Sequence, residues 1–128
     1  MPATSSYDYA IIRLVPSVER GECINIGVIL FCRTRRFLGA LIHADPQRLG
    51  ALVLQTDFPA VQEQLDHLLL VCNGKSESGP IGQLSQAERF HWLVSPRSTI
   101  IQTSPVHSGL CNDPAATLQL LLKKLVLL

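Results

Sequence analysis

No stretch of this chain is long and apolar enough to cross a membrane. The longest apolar runs are Ile24–Cys32, broken by Asn25, and the short Leu68–Cys72, against the roughly 20 residues that a spanning helix needs. Met1–Tyr9 has no basic residue ahead of an apolar run and contains Tyr7-Asp8-Tyr9, so no secretory signal is expected. A charge imbalance is missing as well. The 11 basic and 10 acidic residues leave a net +1, which argues against nucleic acid or a membrane surface as the partner. No two of Cys23, Cys32, Cys72 and Cys111 have Cys-x-x-Cys spacing. Three of them sit in apolar contexts, where free cysteine packs as a small hydrophobe. All four read as reduced thiols of a cytoplasmic protein. His107 and Cys111 are four apart, but a zinc site needs further ligands, so no metal is expected, and no cofactor. Internal repeats, low-complexity runs, glycine-rich phosphate loops, Gly-x-Ser-x-Gly and His-Glu-x-x-His are all absent.

What is present is apolar. Of the 128 residues 47% are hydrophobic and 16% charged, and mean hydropathy is +0.25. That balance folds rather than staying disordered, and the length suits one domain over residues 1–128, with 1–6 as a loose terminus.

Hydrophobic periodicity divides the chain into elements. Alternation predicts strands over 7–15, with Tyr9, Ile11 and Val15 on one side, and over 24–31, with Ile24, Ile26, Val28 and Leu30 sharing one face. Cys32–Arg36 makes the turn into a third strand over 37–43. The cations Arg33, Arg35 and Arg36 at that tip read either as a solvated turn or as a contact for an anionic partner. The period then becomes helical. Asp45-Pro46 opens a short helix near 46–54. A longer one over 58–72 carries the stripe Val61, Leu65, Leu68, Leu69 and Cys72 and is stopped by Asn73-Gly74. Ser85-Gln86-Ala87-Glu88 has capping-box spacing and opens a helix over 85–94. A β-branched stretch at 98–103 predicts a fourth strand, and Ser104–Asn112 reads as a loop. Asp113-Pro114 opens a final helix over 114–126, with Leu118, Leu121, Leu122 and Leu125 inward. Consecutive strands joined by short turns imply antiparallel pairing. The expected fold is therefore α+β: an antiparallel sheet of about four strands with helices packed on one face.

Two polar segments flank strands, Arg13–Asn25 and Ser95–Gly109. Arg13 lies within an apolar strand, where arginine needs an acid, a carbonyl or an anionic ligand. Glu19 or Glu22 could supply a structural pair. Asn25 sits mid-strand, where asparagine is depleted, so a bulge or a hydrogen bond to a neighbouring segment is expected. Arg97, Ser98 and Thr99 put a guanidinium beside two hydroxyls, a set that can hold a phosphate or carboxylate or can cap the preceding helix. Gln102 follows in the same segment. His107 is the acid–base candidate by its loop context. His43, His67 and His91 are weaker ones, and Trp92 reads as core or interface filler. If the two segments meet, Arg13, Glu22, Asn25, Arg97, Ser98 and His107 should gather around one end of the sheet.

The same segments carry a resemblance. Tyr9–Pro16, Glu19–Leu30, Arg89–Leu93, Pro96–Ile100 and Ser104–Gly109 resemble the bacterial domain-of-unknown-function family 3037, over about residues 7–127. Cys23 stands where a bulkier residue is expected. The resemblance implies a protein without an established activity, no catalytic residues to carry over, and a HipA-like protein kinase as partner. Two functional readings follow. One is an accessory, protein-binding module that contacts such a kinase, or a second copy of itself, through the final helix, whose Leu120, Leu127 and Leu128 lie off the inward stripe. The other is a small enzyme or binding protein for a phosphorylated or nucleotide-like ligand, using Arg13, Arg97 and His107.

Overall fold

The computed structural model describes residues 4–16, 22–44, 58–97 and 99–127. Among them the order is β1 (Ser5–Leu14), β2 (Ile24–Cys32), β3 (Phe37–Ile42), α1 (Phe58–Cys72), two short 3₁₀ turns (Ser76–Ser78 and Pro80–Gln83), α2 (Gln86–Leu93), β4 (Ile101–Thr103), β5 (His107–Cys111) and α3 (Pro114–Leu125). All pairings are antiparallel. The sheet runs β3-β2-β1-β4, with β5 also on β1. The α+β architecture is as expected. The helix expected near 46–54 lies outside the described residues.

Three features depart from the sequence pattern. First, β1 begins at Ser5, inside the segment expected to be loose, and a fifth strand occupies the expected loop 104–112. Strands β4 and β5 lie end to end along one edge of β1. Ile12–Leu14 pair with Ile101–Thr103, and Ser5–Tyr9 pair with His107–Cys111. Pro105 between them has no N–H for a ladder. Ser104 repairs the gap: its Oγ accepts from the Ile11 N–H at 2.8 Å, and its own N–H donates to the Ile11 carbonyl at 2.8 Å.

Second, β2 does not keep one face throughout. Ile12 pairs with Gly27 but Arg13 with Asn25, so Ile26 is a bulge without a counterpart on β1. A bulge inserts one residue, so the side-chain alternation inverts across it. Ile26, Ile29 and Phe31 therefore share a cluster with Ile12 and Leu14, while Val28, Leu30 and Cys32 belong to the opposite one. The expected common face of Ile24, Ile26, Val28 and Leu30 breaks at this point. Gly27 next to the bulge is obligatory, because a Cβ there would meet the Leu41 carbonyl oxygen at 2.6 Å.

Third, the helices cover both faces, not one. Helices α1 and α2 bury Val61, Leu65, Leu68, Phe90 and Leu93 against Ile12, Leu14, Ile29 and Phe31. Helix α3 lies on the other face over β2 and β3, packing Leu118, Leu122 and Leu125 on Val28, Leu30 and Leu41. The sequence of β2 holds the reason. Ile26–Cys32 is buried without interruption, and a strand apolar on both sides needs cover on both sides.

Helix ends follow local chemistry. Ser85 and Glu88 form the reciprocal capping box of α2, and Asp113 Oδ1 accepts from the Ala115 and Ala116 N–H groups of α3. The β2–β3 turn closes with Arg36 N–H on the Arg33 carbonyl at 3.1 Å. The end of α1 is capped from a distance. Arg89, only 9% exposed, donates from Nη1 to the carbonyls of Val71 and Cys72 at 3.1 Å each. A cation there faces the negative end of the α1 dipole.

Candidate functional site

The β1–β4 ladder brings the two polar segments side by side, since Arg13 pairs with Asn25 on one flank and Gln102 on the other. These three form a row on the α3 face. Asn25 donates from Nδ2 to the Leu125 carbonyl at 3.1 Å, tying the last turn of α3 to the sheet. It thus sits beside a bulge and bonds a neighbouring segment. Gln102 donates from Nε2 to the Thr99 carbonyl at 2.8 Å, and Thr99 Oγ1 donates to the Ile101 carbonyl at 2.7 Å. Arg13 is half-buried, and its Nε is buried without an acceptor among the described residues. Glu22 is exposed and engaged in a contact. Glu19 and Ser98 lie outside the described residues.

His107 and Arg97 are elsewhere. His107 is exposed and pairs with Tyr9, their rings 5.4 Å apart. Tyr9 and Arg13 are four residues apart on one strand, roughly 13 Å at strand rise, on the same face. Arg97 belongs to the opposite side of the sheet. Its guanidinium lies over the Trp92 indole at 4.3 Å and donates from Nη2 to the Trp92 carbonyl. Arg97 therefore lies on the face opposite Arg13 and His107.

What stands around Arg97 is a cleft of about 510 Å³ between α1 and the α2–β4 connection. Its floor is Leu68, Trp92 and Ile101. One wall is Arg97. The other is the exposed side of α1, with Glu63, Asp66 and His67, the imidazole meeting the Trp92 ring edge-on at 6.0 Å. Burial pushes the Arg97 guanidinium below the ordinary arginine value. Of this wall the sequence offered only His67, as a weaker acid–base candidate, and missed Glu63 and Asp66. Glu63, Asp66 and His67 are spaced i, i+3 and i+4, the helical signature of one face. Trp92 is half-buried and holds a cation on its ring, so it is more than filler. Among the described residues no three of His, Cys, Asp and Glu are grouped to share a metal ion.

A family model described as a protein of unknown function (DUF3037) matches residues 9–126. The chain belongs to the DUF3037 family. No curated protein and no solved structure matches it. Membership in DUF3037 agrees with the resemblance carried by the two polar segments, and it brings no catalytic assignment to Arg13, Arg97 or His107. None of the described helices of this DUF3037 chain is long and apolar enough to cross a membrane.

Proposed function

We propose that this DUF3037 chain is an accessory module that binds another protein through the outer face of α3, with a HipA-like protein kinase as the candidate partner. The observation that supports the reading is the exposure of Leu120 and Leu127, at 50% and 46%. Both line a shallow groove of about 540 Å³ along α3, and Leu120 also lines an adjoining one of about 360 Å³ that reaches Leu110 on β5. A helix that is apolar on more than one side is buried on more than one side, and contiguous exposed apolar surface marks an interaction site. The inner side of α3 already meets the sheet through Leu118 and Leu122, so the outer side is the one left for a partner. The resemblance supplies the kinase as candidate, and a second copy of the chain is the rival.

The test is a pull-down with the HipA-like kinase from the same host, beside light scattering of the isolated protein, for wild type and Leu120→Glu. Capture of the kinase by wild type and its loss in Leu120→Glu is the expected result. The substitution should change stability by less than about 0.5 kcal/mol, as at other exposed positions. A wild-type dimer that Leu120→Glu dissociates would transfer the surface to self-association. A monomer that does not capture the kinase would end the reading.

A further inference from the structure

The cleft beside Trp92 carries an inference independent of the α3 surface. Its two walls hold opposite charges that do not meet. Arg97 makes no ion pair among the described residues; it contacts the Trp92 ring and carbonyl. Across the cleft, Asp66 accepts a hydrogen bond from Gln62 at 2.9 Å, and Glu63 has no partner among the described residues. Between the walls the floor is apolar. An arginine stacked on an indole and tied to a carbonyl is held in one orientation, and its remaining N–H groups form a planar fork for a carboxylate. A volume of about 510 Å³ lies in the range of small-molecule sites.

We propose that this cleft binds a small zwitterion of the amino-acid type, its carboxylate on Arg97, its ammonium on Glu63 and Asp66, and an apolar body over Leu68, Trp92 and Ile101. The charges discriminate among ligand classes. Apart from His67, the lining holds one cation and two carboxylates, a net −1. A phosphomonoester dianion would meet repulsion from the α1 wall, and a simple amine would leave Arg97 without a counter-charge. A molecule bearing both charges satisfies both walls.

Trp92 is the single tryptophan of the chain, so its emission reports on the cleft directly. The full chain is titrated with L-phenylalanine, 3-phenylpropionate, phenethylamine and adenosine monophosphate while Trp92 fluorescence is followed. L-phenylalanine should give a saturable change, with the two single-charge analogues weaker by about tenfold or more each, one charge-assisted contact being worth at least that. Arg97→Gln should weaken L-phenylalanine by a similar factor. Because that variant also removes a contact to Trp92, its folding is checked by circular dichroism. The second variant, Glu63→Gln with Asp66→Asn, alters exposed positions only, and should weaken L-phenylalanine while leaving 3-phenylpropionate unchanged or tighter. Saturable binding of adenosine monophosphate tighter than that of L-phenylalanine would overturn the proposal in favour of a phosphate site. Absence of any saturable change at millimolar concentration of all four probes would overturn it altogether.

Discussion

The two faces of the sheet are finished in different ways. On one, α1 and α2 together seal Ile12, Leu14, Ile29 and Phe31, and the polar group trapped with them, Arg89, is spent on the carbonyls of Val71 and Cys72. On the other, α3 alone covers β2 and β3. The β1 side of that face keeps Tyr7, Tyr9 and Arg13 half-exposed and His107 in solvent. The difference is one of polar accounting. Under two helices a cation must find acceptors inside the fold, because an unpaired buried charge is costly. Beside a single helix, Arg13 stays half-exposed, with its Nε buried and without an acceptor among the described residues. The α1–α2 side is therefore the more fully sealed one, although Arg89 Nε there, like Arg13 Nε on the other face, is buried without an acceptor among the described residues, and the α3 side keeps the exposed leucines.

Breaking the sealed face should have the largest effect. Arg89→Met keeps the stem but removes both hydrogen bonds at the end of α1. It should cost about 3 kcal/mol, since buried carbonyls lose their only charged donor. Urea denaturation measures this, and Arg89→Lys should recover part of it. On the opposite face Leu118 is 5% exposed and packs over Gly39, Val28 and Leu30. Leu118→Ala should cost about 2–3 kcal/mol, at the low end for a core leucine because a half-covered face can relax. If Leu118→Ala proves costlier than Arg89→Met, the contrast between the faces is reversed.

Ser104→Ala probes the seam where β4 passes into β5. It leaves the buried Ile11 N–H without its acceptor while the Ser104 N–H bond remains. The expected loss is about 1–2 kcal/mol, with faster hydrogen exchange at the Ile11 amide and unchanged register elsewhere. The smallest effect is a titration. Burial pushes the Cys72 thiol up to about 12, against a smaller downward pull from Arg89. A thiol whose pKa is raised in the folded state contributes its full stability below about pH 9 and loses it as pH rises towards 12. By pH 10 the loss should be about 1 kcal/mol. Comparing wild type with Cys72→Ala at pH 8 and pH 10 isolates it, because other alkaline titrations are shared. Exposed Cys23 should react with iodoacetamide long before Cys72 does.

Much of the secondary structure was legible because its causes are local. The capping box at Ser85–Glu88, the Asp113-Pro114 start of α3 and the helical stripe of α1 all announce themselves within a few residues. Strand β5 did not, since Pro105, Ser108, Gly109 and Asn112 are turn-forming residues. It is a strand only because β1 offers it an edge. Arg13, Asn25 and Gln102 were found as candidates and do meet. Glu63 and Asp66 of the α1 wall were overlooked, and His67 ranked low, because the three look like an ordinary solvated helix face until Trp92 and Arg97 are placed opposite.

The sequence by itself determined the kinds of element, most of their ends, and the α+β class, because hydrophobic period, caps and turn residues act over one or two turns of chain. It also carried the family, through motifs spread over residues 9–126. Only the tertiary structure decided which way each face looks. The single extra residue at Ile26 inverts the alternation of β2, α3 goes to the face opposite α1 and α2, and Arg13 and Arg97 end on opposite sides of one sheet. These outcomes depend on pairing between residues far apart in the chain, where a shift of one position exchanges inside for outside, and no local pattern records that choice.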